Sequence, residues 1–367
     1  MSTPQQIPAL TGIRFVAVSM VFLVHYSNPS FGVFLRAICN QFYFSMDVFF
    51  VLSGFLICYN FGKDAGLNKP FLKRFYINRI GRIIPLYYIL VTFTFLMLHF
   101  RHEGGNHLFG IYLLNISFIK GLSESYIFTG IFPSWSLTPE MTFYFLFPFI
   151  HVLITRFNFS WWKQIIVIWV IGLLVYLFFQ RYPFKGFFAD FDFMLFVTFF
   201  GRCFDLLLGV QLAFILINWQ AKNDAKNTAG NSRSTLPVYT LVGGILTIIV
   251  LVTLAHFSPD KPSTNTWFGR ICLVPVFPLL VAALFFGLAT EVTWLSRLLS
   301  TSLFQVLGKC TYAFYLIHTG FIADWIALLC KNNVMLIYVS IIIVSVVLFY
   351  LVEQPLHRLI KVRTTNK

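Results

Sequence analysis

LTGIRFVAVSMVFLVHYS, residues 10–27, is an apolar run of membrane-crossing length with an arginine and a histidine set inside it. At 1.5 Å rise per residue, about 20 helical residues cross a hydrocarbon layer of roughly 30 Å. The run therefore reads as a transmembrane helix, and similar runs recur to the far end of the chain. The expected spans are 11–28, 41–62, 83–100, 138–156, 161–179, 197–218, 238–257, 270–289, 303–329 and 334–354. The fold class that follows is all-α, a polytopic transmembrane helical bundle of about ten spans. Residues 1–367 read as a single transmembrane domain with a short tail from about residue 355.

Composition points the same way. Hydrophobic residues make up 58% of the chain and charged ones 11%, against about 25% charged in an average soluble domain. The longest polar stretches, 219–236 and 258–269, are too short to bury a core of their own. The first of them, rich in Asn, Ser, Lys and Ala, reads as a flexible connector. Residues 1–10 hold no Lys or Arg and no Ala-x-Ala site follows, so the first run is expected to be a retained span rather than a cleaved signal. No internal repeat is visible, which gives no help to an inverted-repeat transporter. The six cysteines lack a C-x-x-C pair and read as unpaired small core residues, with a Cys39–Cys330 bridge left open.

The net charge of +14 is unevenly placed. With the N-terminus inside, the inner loops hold about twice as many Lys and Arg as the outer ones, as the positive-inside rule expects. Lys63, Lys69, Lys73, Arg74, Arg79 and Arg82 form the densest group, Lys222, Lys226 and Arg233 a second, and Arg358, Lys361, Arg363 and Lys367 a third. An even number of spans puts both termini in the cytoplasm. The distribution points to a membrane and not to nucleic acid. Segment 108–137 has room for an extra short or re-entrant helix.

Ionisable groups inside a span cost at least about 2.5–3.5 kcal/mol each at mid-membrane, so each needs a partner, a cavity or a task. Arg14 and His25 are eleven residues apart, close to three full turns, and so share a helix face. The rise between them is roughly 16 Å, which sets Arg14 toward the cytoplasmic end and His25 toward the outer end. Snorkelling to the two interfaces is the alternative reading. Asp47 in FSMDVFFVLSGFLI and Glu140 in PSWSLTPEMTFYFLFP stand at the outer ends of other helices. Either carboxylate would orient His25 and raise its basicity, as a general base requires. Glu140 is equally suited to capping its own helix. In GRCFDLLLG, Arg202 and Asp205 have the i, i+3 spacing of a structural ion pair.

On the inner face, KRFYINRIGRIIPLYYI sets Arg79 and Arg82 one turn apart at the start of the third helix. Guanidiniums at this spacing suit bidentate phosphate binding, although ordinary positive-inside charge and lipid headgroup contact explain them as well. Glu353 in LVEQPLHR is a candidate partner for one of these arginines. His318, in LGKCTYAFYLIHTGFI, is expected deep in the ninth helix, where a core histidine and a catalytic one are both open.

Together these segments resemble the acyltransferase 3 family of membrane proteins, whose members O-acylate surface polysaccharides and related glycans. The resemblance runs from LTGIRFVAVSMVFLVHYS through FFVLSGFLI, RFYINRIGRIIPLYY, SWSLTPEMTFYFLFP, RCFDLLLG and LGKCTYAFYLIH to EQPLHR. It implies that His25 is catalytic, with Glu140 and Asp47 as candidate partners. Arg14 matches the family arginine that ten intervening residues separate from that histidine, and Arg79 and Arg82 match its R-x-x-R. All three would then serve the acyl-coenzyme A donor. Trp135, Ser136, Arg202, Asp205 and His318 would belong to the acceptor side or to structure. The chain departs from the family pattern at Met46 for Gly, Met141 for an acid and Asp205 for Glu. The resemblance is to the form without an appended soluble hydrolase-like domain.

The resemblance implies transfer of an acyl group, by default acetyl, from cytoplasmic acyl-coenzyme A to a hydroxyl of a surface glycan in a bacterial inner membrane. Lipopolysaccharide O-antigen is the leading acceptor, with other lipid-linked sugars open. No metal and no permanently bound cofactor is expected. Besides donor and acceptor, membrane lipid is the expected partner, and oligomeric state is not legible. His25 would act as general base or as acyl carrier. The rival classes are a transporter or flippase for a polar lipid or sugar, marked by broken helices, and a non-catalytic sensor.

Overall fold

A chain this apolar satisfies its backbone inside lipid by forming helices. The computed structural model describes residues 7–27, 32–103, 105–227, 237–259, 264 and 266–365, and these contain helices and no strand. Arg233 and Lys367 of the basic loop groups lie outside the described residues, as do the side chains of Lys226 and Arg363. The first helices are α1 (Pro8–Tyr26), α2 (Val33–Asn40), α3 (Ser45–Phe61), α4 (Lys69–Phe100), α5 (Leu108–Ile116) and α6 (Leu137–Thr155). Next come α7 (Trp161–Arg181), α8 (Phe191–Val197), α9 (Phe199–Asn227), α10 (Val238–Phe257), α11 (Trp267–Ile271) and α12 (Phe277–Thr290). The last are α13 (Trp294–Leu299), α14 (Ser302–Lys309), α15 (Thr311–Ile317), α16 (Phe321–Leu329), α17 (Val334–Leu348) and α18 (Gln354–Thr365).

Among the described residues, 9 helical segments are long and apolar enough to cross a membrane, or 10 if the bent pair α15–α16 is one span. The ten expected stretches each overlap one of these. Two details differ, and a third follows the expectation. Segment 303–329 is not one helix: α14, α15 and α16 divide it, and α15 and α16 meet at 83°. The physical cause is Gly320, whose φ of +83° lies where side chains are strained. The third span begins earlier than hydropathy suggests, at Lys69, so Arg79 and Arg82 stand inside a 32-residue helix and not at its start. Segment 108–137 does contain a short helix, the 9-residue α5. None of the six cysteines, all within the described residues, is in a disulfide.

The chain divides into two compact units, one of Met1–Lys63 with Phe204–Lys309 and one of Asp64–Cys203 with Cys310–Lys367. In the first, α1 packs on α3, α12, α13 and α14, and α10 on α12. Gly54 of α3 faces the Leu206 carbonyl and Gly209 of α9 faces Val51, so each glycine clears the other helix's backbone. The buried Glu291 caps α10, its two carboxylate oxygens accepting from Tyr239 N at 2.8 Å and Thr240 N at 2.9 Å. In the second unit, α4 carries α5, α6, α15 and α18, and α17 packs on α15 and α16.

Candidate functional site

In the first unit, the helix α1 presents Arg14, Val18, Val21 and His25 along one line. Val18 and Val21 are 0% and 6% exposed, so the middle of the line is covered by protein and not by lipid. Arg14 is half-buried and His25, in the last turn, is exposed. The line joining the two costly residues is thus turned inward at its middle and open at His25. Asp47 is wholly buried in the first turn of α3. Asp205, 2% exposed, is buried in α9.

The second unit contains a connected polar column. The Arg79 guanidinium stands 5.8 Å from the centroid of the Tyr144 ring and within electrostatic reach of Tyr144, Arg82 and Glu140. One turn back along α6 from Tyr144, Glu140 accepts the tyrosine hydroxyl at 2.5 Å. From α15, Tyr312 reaches α4 by donating to the Ile83 carbonyl at 2.8 Å. Its hydroxyl lies within the field of Glu353, Glu140, Tyr87 and Tyr144. Tyr315, one turn on, donates to the Pro133 carbonyl at 2.7 Å and lies 2.7 Å from the Ser136 hydroxyl. With its proton on Pro133, the tyrosine accepts from Ser136. His318 closes the column, fully buried at the end of α15 with Nδ1 at 2.8 Å from the Tyr315 carbonyl. A carbonyl only accepts, so Nδ1 carries the proton and Nε2 is the basic nitrogen of the neutral ring.

The structure therefore joins Arg79, Arg82, Glu140, Ser136 and His318, which the sequence named separately. Three tyrosines make the links. Tyr144 was legible in principle, being four residues from Glu140 on the same helix, whereas Tyr312 and Tyr315 look like ordinary aromatic residues of a span. Trp135 is half-buried in the short 3-10 turn Phe132–Ser136 that leads into α6. Arg202, 8% exposed, donates through Nε to the Phe196 carbonyl at 2.8 Å. Arg14, His25, Asp47 and Asp205 belong to the first unit and Glu140 to the second.

Lys120 escaped the sequence analysis altogether. It is 1% exposed in the connection between α5 and α6, and its ammonium donates to the Thr129 carbonyl at 2.7 Å and the Ile131 carbonyl at 2.9 Å. Burial pushes its pKa down to about 7. The next residue, Gly121, donates to Thr138 Oγ1 at 3.2 Å, and Thr138 in turn donates to the Phe118 carbonyl at 2.6 Å. Lys120 thus sits at the knot that seats the turn bearing Trp135 and Ser136. No local pattern marks it.

Comparison with known proteins adds a family. Residues 7–354 match the profile of the acyltransferase 3 family, described as an acyltransferase domain. A Staphylococcus aureus (strain COL) protein assigned by name to the O-acetyltransferases is 28% identical over 344 residues, 86% of this chain and 51% of that protein. The acyltransferase MdmB of Streptomyces mycarofaciens is 30% identical over 172 residues, 43% of each chain. The peptidoglycan O-acetyltransferase OatA of Listeria monocytogenes is 24% identical over 325 residues, 85% of this chain and 49% of that protein. The chain spans about half the length of the O-acetyltransferase relatives it matches. No solved structure matches it.

Proposed function

The chain belongs to the acyltransferase 3 family, and from that membership we propose that it transfers an acyl group from cytoplasmic acyl-coenzyme A to a hydroxyl of a cell-surface glycan. The acyl group is acetyl, in keeping with the O-acetyltransferase relatives. The acceptor is lipopolysaccharide O-antigen or another envelope glycan; peptidoglycan, named for one relative, belongs to the same chemical class. The protein works in the bacterial inner membrane with both termini in the cytoplasm.

The observation that carries the reading is that Arg14 and His25 stand on one line of α1 whose middle, Val18 and Val21, is covered by protein, inside a family match that spans nearly the whole chain. Arg14, Arg79 and Arg82 hold the anionic donor from the cytoplasmic side. His25, roughly 16 Å above Arg14 along the helix, acts toward the outer half. As general base it takes the acceptor hydroxyl proton while that oxygen attacks the thioester carbonyl. The C–O bond forms, the C–S bond breaks, and the proton passes to the departing thiolate. As acyl carrier His25 would instead accept the acyl group on a ring nitrogen and hand it on.

The test is direct. Purified protein is incubated with radiolabelled acetyl-coenzyme A and candidate glycans, and label in the glycan is counted. Label transfer supports the reading, and its absence with every glycan class counts against it. One observation favours the rival transporter class, the broken span α15–α16 beside the buried His318. Uptake of a sugar or lipid into vesicles without acyl transfer would decide for it.

A further inference from the structure

Within the second unit, the donor reading gives coenzyme A two arginines of α4, Arg79 and Arg82. Resting on that reading, we infer that α18 supplies the other half of the phosphate site, with His357 and Lys361 standing opposite the two arginines of α4.

Gly81 is one of the two residues between Arg79 and Arg82 on α4. A methyl group there would lie 3.0 Å from Ile360 Cγ2 and 3.5 Å from His357 Cδ2, so α18 is seated directly on α4 at this position. His357 and Lys361 are four residues apart and share a face of α18. The charges that act on the His357 ring are those of Arg82, Lys361 and Arg79, all cations. Its Nε2 is buried and makes no hydrogen bond among the described residues. Two carboxylates stand nearby: Glu140 faces Arg79 through Tyr144, and Glu353, one turn before His357, faces Tyr312. Lys361 is exposed, while Arg82 and His357 are half-buried.

The three cations Arg79, Arg82 and Lys361, gathered around the His357 ring by two tightly seated helices, repel one another, and a multiply charged anion relieves that repulsion. An idle buried imidazole nitrogen is a ready donor to a phosphate oxygen once protonated. Simple positive-inside charge needs neither the close seating nor the buried nitrogen. The ligand chemistry is a phosphomonoester or pyrophosphate, and we assign it to coenzyme A and not to a lipid headgroup.

The experiment uses the full chain in nanodiscs of phosphatidylcholine alone, titrated calorimetrically with coenzyme A and with 3′-dephospho-coenzyme A. His357→Gln and Lys361→Gln should each weaken coenzyme A binding by about tenfold, the scale of one charge-assisted hydrogen bond. The loss should shrink for 3′-dephospho-coenzyme A. Wild-type affinity in both variants overturns the inference and leaves the donor reading standing. Absence of coenzyme A binding by the wild-type protein overturns both. If the variants keep coenzyme A but lose anionic lipid that co-purifies with the wild type, the site is a headgroup site and the inference fails.

Discussion

The Tyr144 hydroxyl donates to Glu140 across one turn of α6 at 2.5 Å, and the same tyrosine ring lies under the guanidinium of Arg79. One aromatic residue thereby couples an acid to the basic group proposed to hold the donor. The tyrosine hydroxyl serves both groups, donating to Glu140 and standing as a side-chain hydrogen-bond partner of Arg79, while the ring face lies against the cation.

Tyr144→Phe keeps the ring and removes the hydroxyl. A hydrogen bond to a charged group is worth about 1.5–3 kcal/mol, or roughly 10- to 100-fold. The acyl-transfer rate should fall on that scale and coenzyme A affinity by less, because Arg79 loses the hydroxyl but keeps the ring beneath it. Steady-state kinetics and a binding titration check the two halves separately. Equal losses in rate and affinity would mean that Tyr144 shapes the donor site instead.

Glu140→Gln should also depress the rate more than donor binding. The amide keeps the shape of the carboxylate, still accepts from Tyr144, and loses the negative charge. A variant with wild-type turnover would remove Glu140 from the chemistry and leave it as a helix cap.

Lys120 gives a pH signature. Its folded pKa of about 7 lies below the ordinary lysine value of 10.5. Between those two pH values the unfolded chain binds a proton that the folded chain has released, so stability rises with pH across that window. Below about pH 7 both states are protonated and the contribution is flat. Melting temperature in detergent should therefore climb from pH 7 toward pH 9, and Lys120→Met should flatten that climb. An unchanged slope in the variant would show that Lys120 is not the group responsible.

The 9 or 10 candidate spans among the described residues were legible in the sequence because hydropathy reports length and apolarity, which are local. The break between α15 and α16 was not, since it turns on a single residue. Gly320 adopts φ +83° and ψ −166°, and nothing in its neighbours' hydropathy reveals that. Lys69–Arg82 was missed as helix for the opposite reason: it is too basic to register as part of a span. At the site, Arg14, His25, Asp47, Glu140, Arg79 and Arg82 stood out because charge in an apolar run is conspicuous. The tyrosines that link three of them did not, in a chain with 16 Tyr and 46 Phe. Lys120 was invisible because its burial depends on the chain closing back at Thr129 and Ile131.

Gly320→Ala tests the break itself. A side chain at that φ costs on the order of 1–3 kcal/mol, so the variant should melt several degrees lower than wild type. A melting temperature equal to that of the wild type would show that the bend does not depend on glycine.

The most direct measurement concerns the histidine in the first span. His25→Ala should insert and fold, shown by size-exclusion chromatography and helical circular dichroism indistinguishable from wild type. It should also transfer no label from acetyl-coenzyme A to the glycan while still binding coenzyme A. Wild-type transfer by the folded variant would contradict the assignment of His25 as the base or acyl carrier.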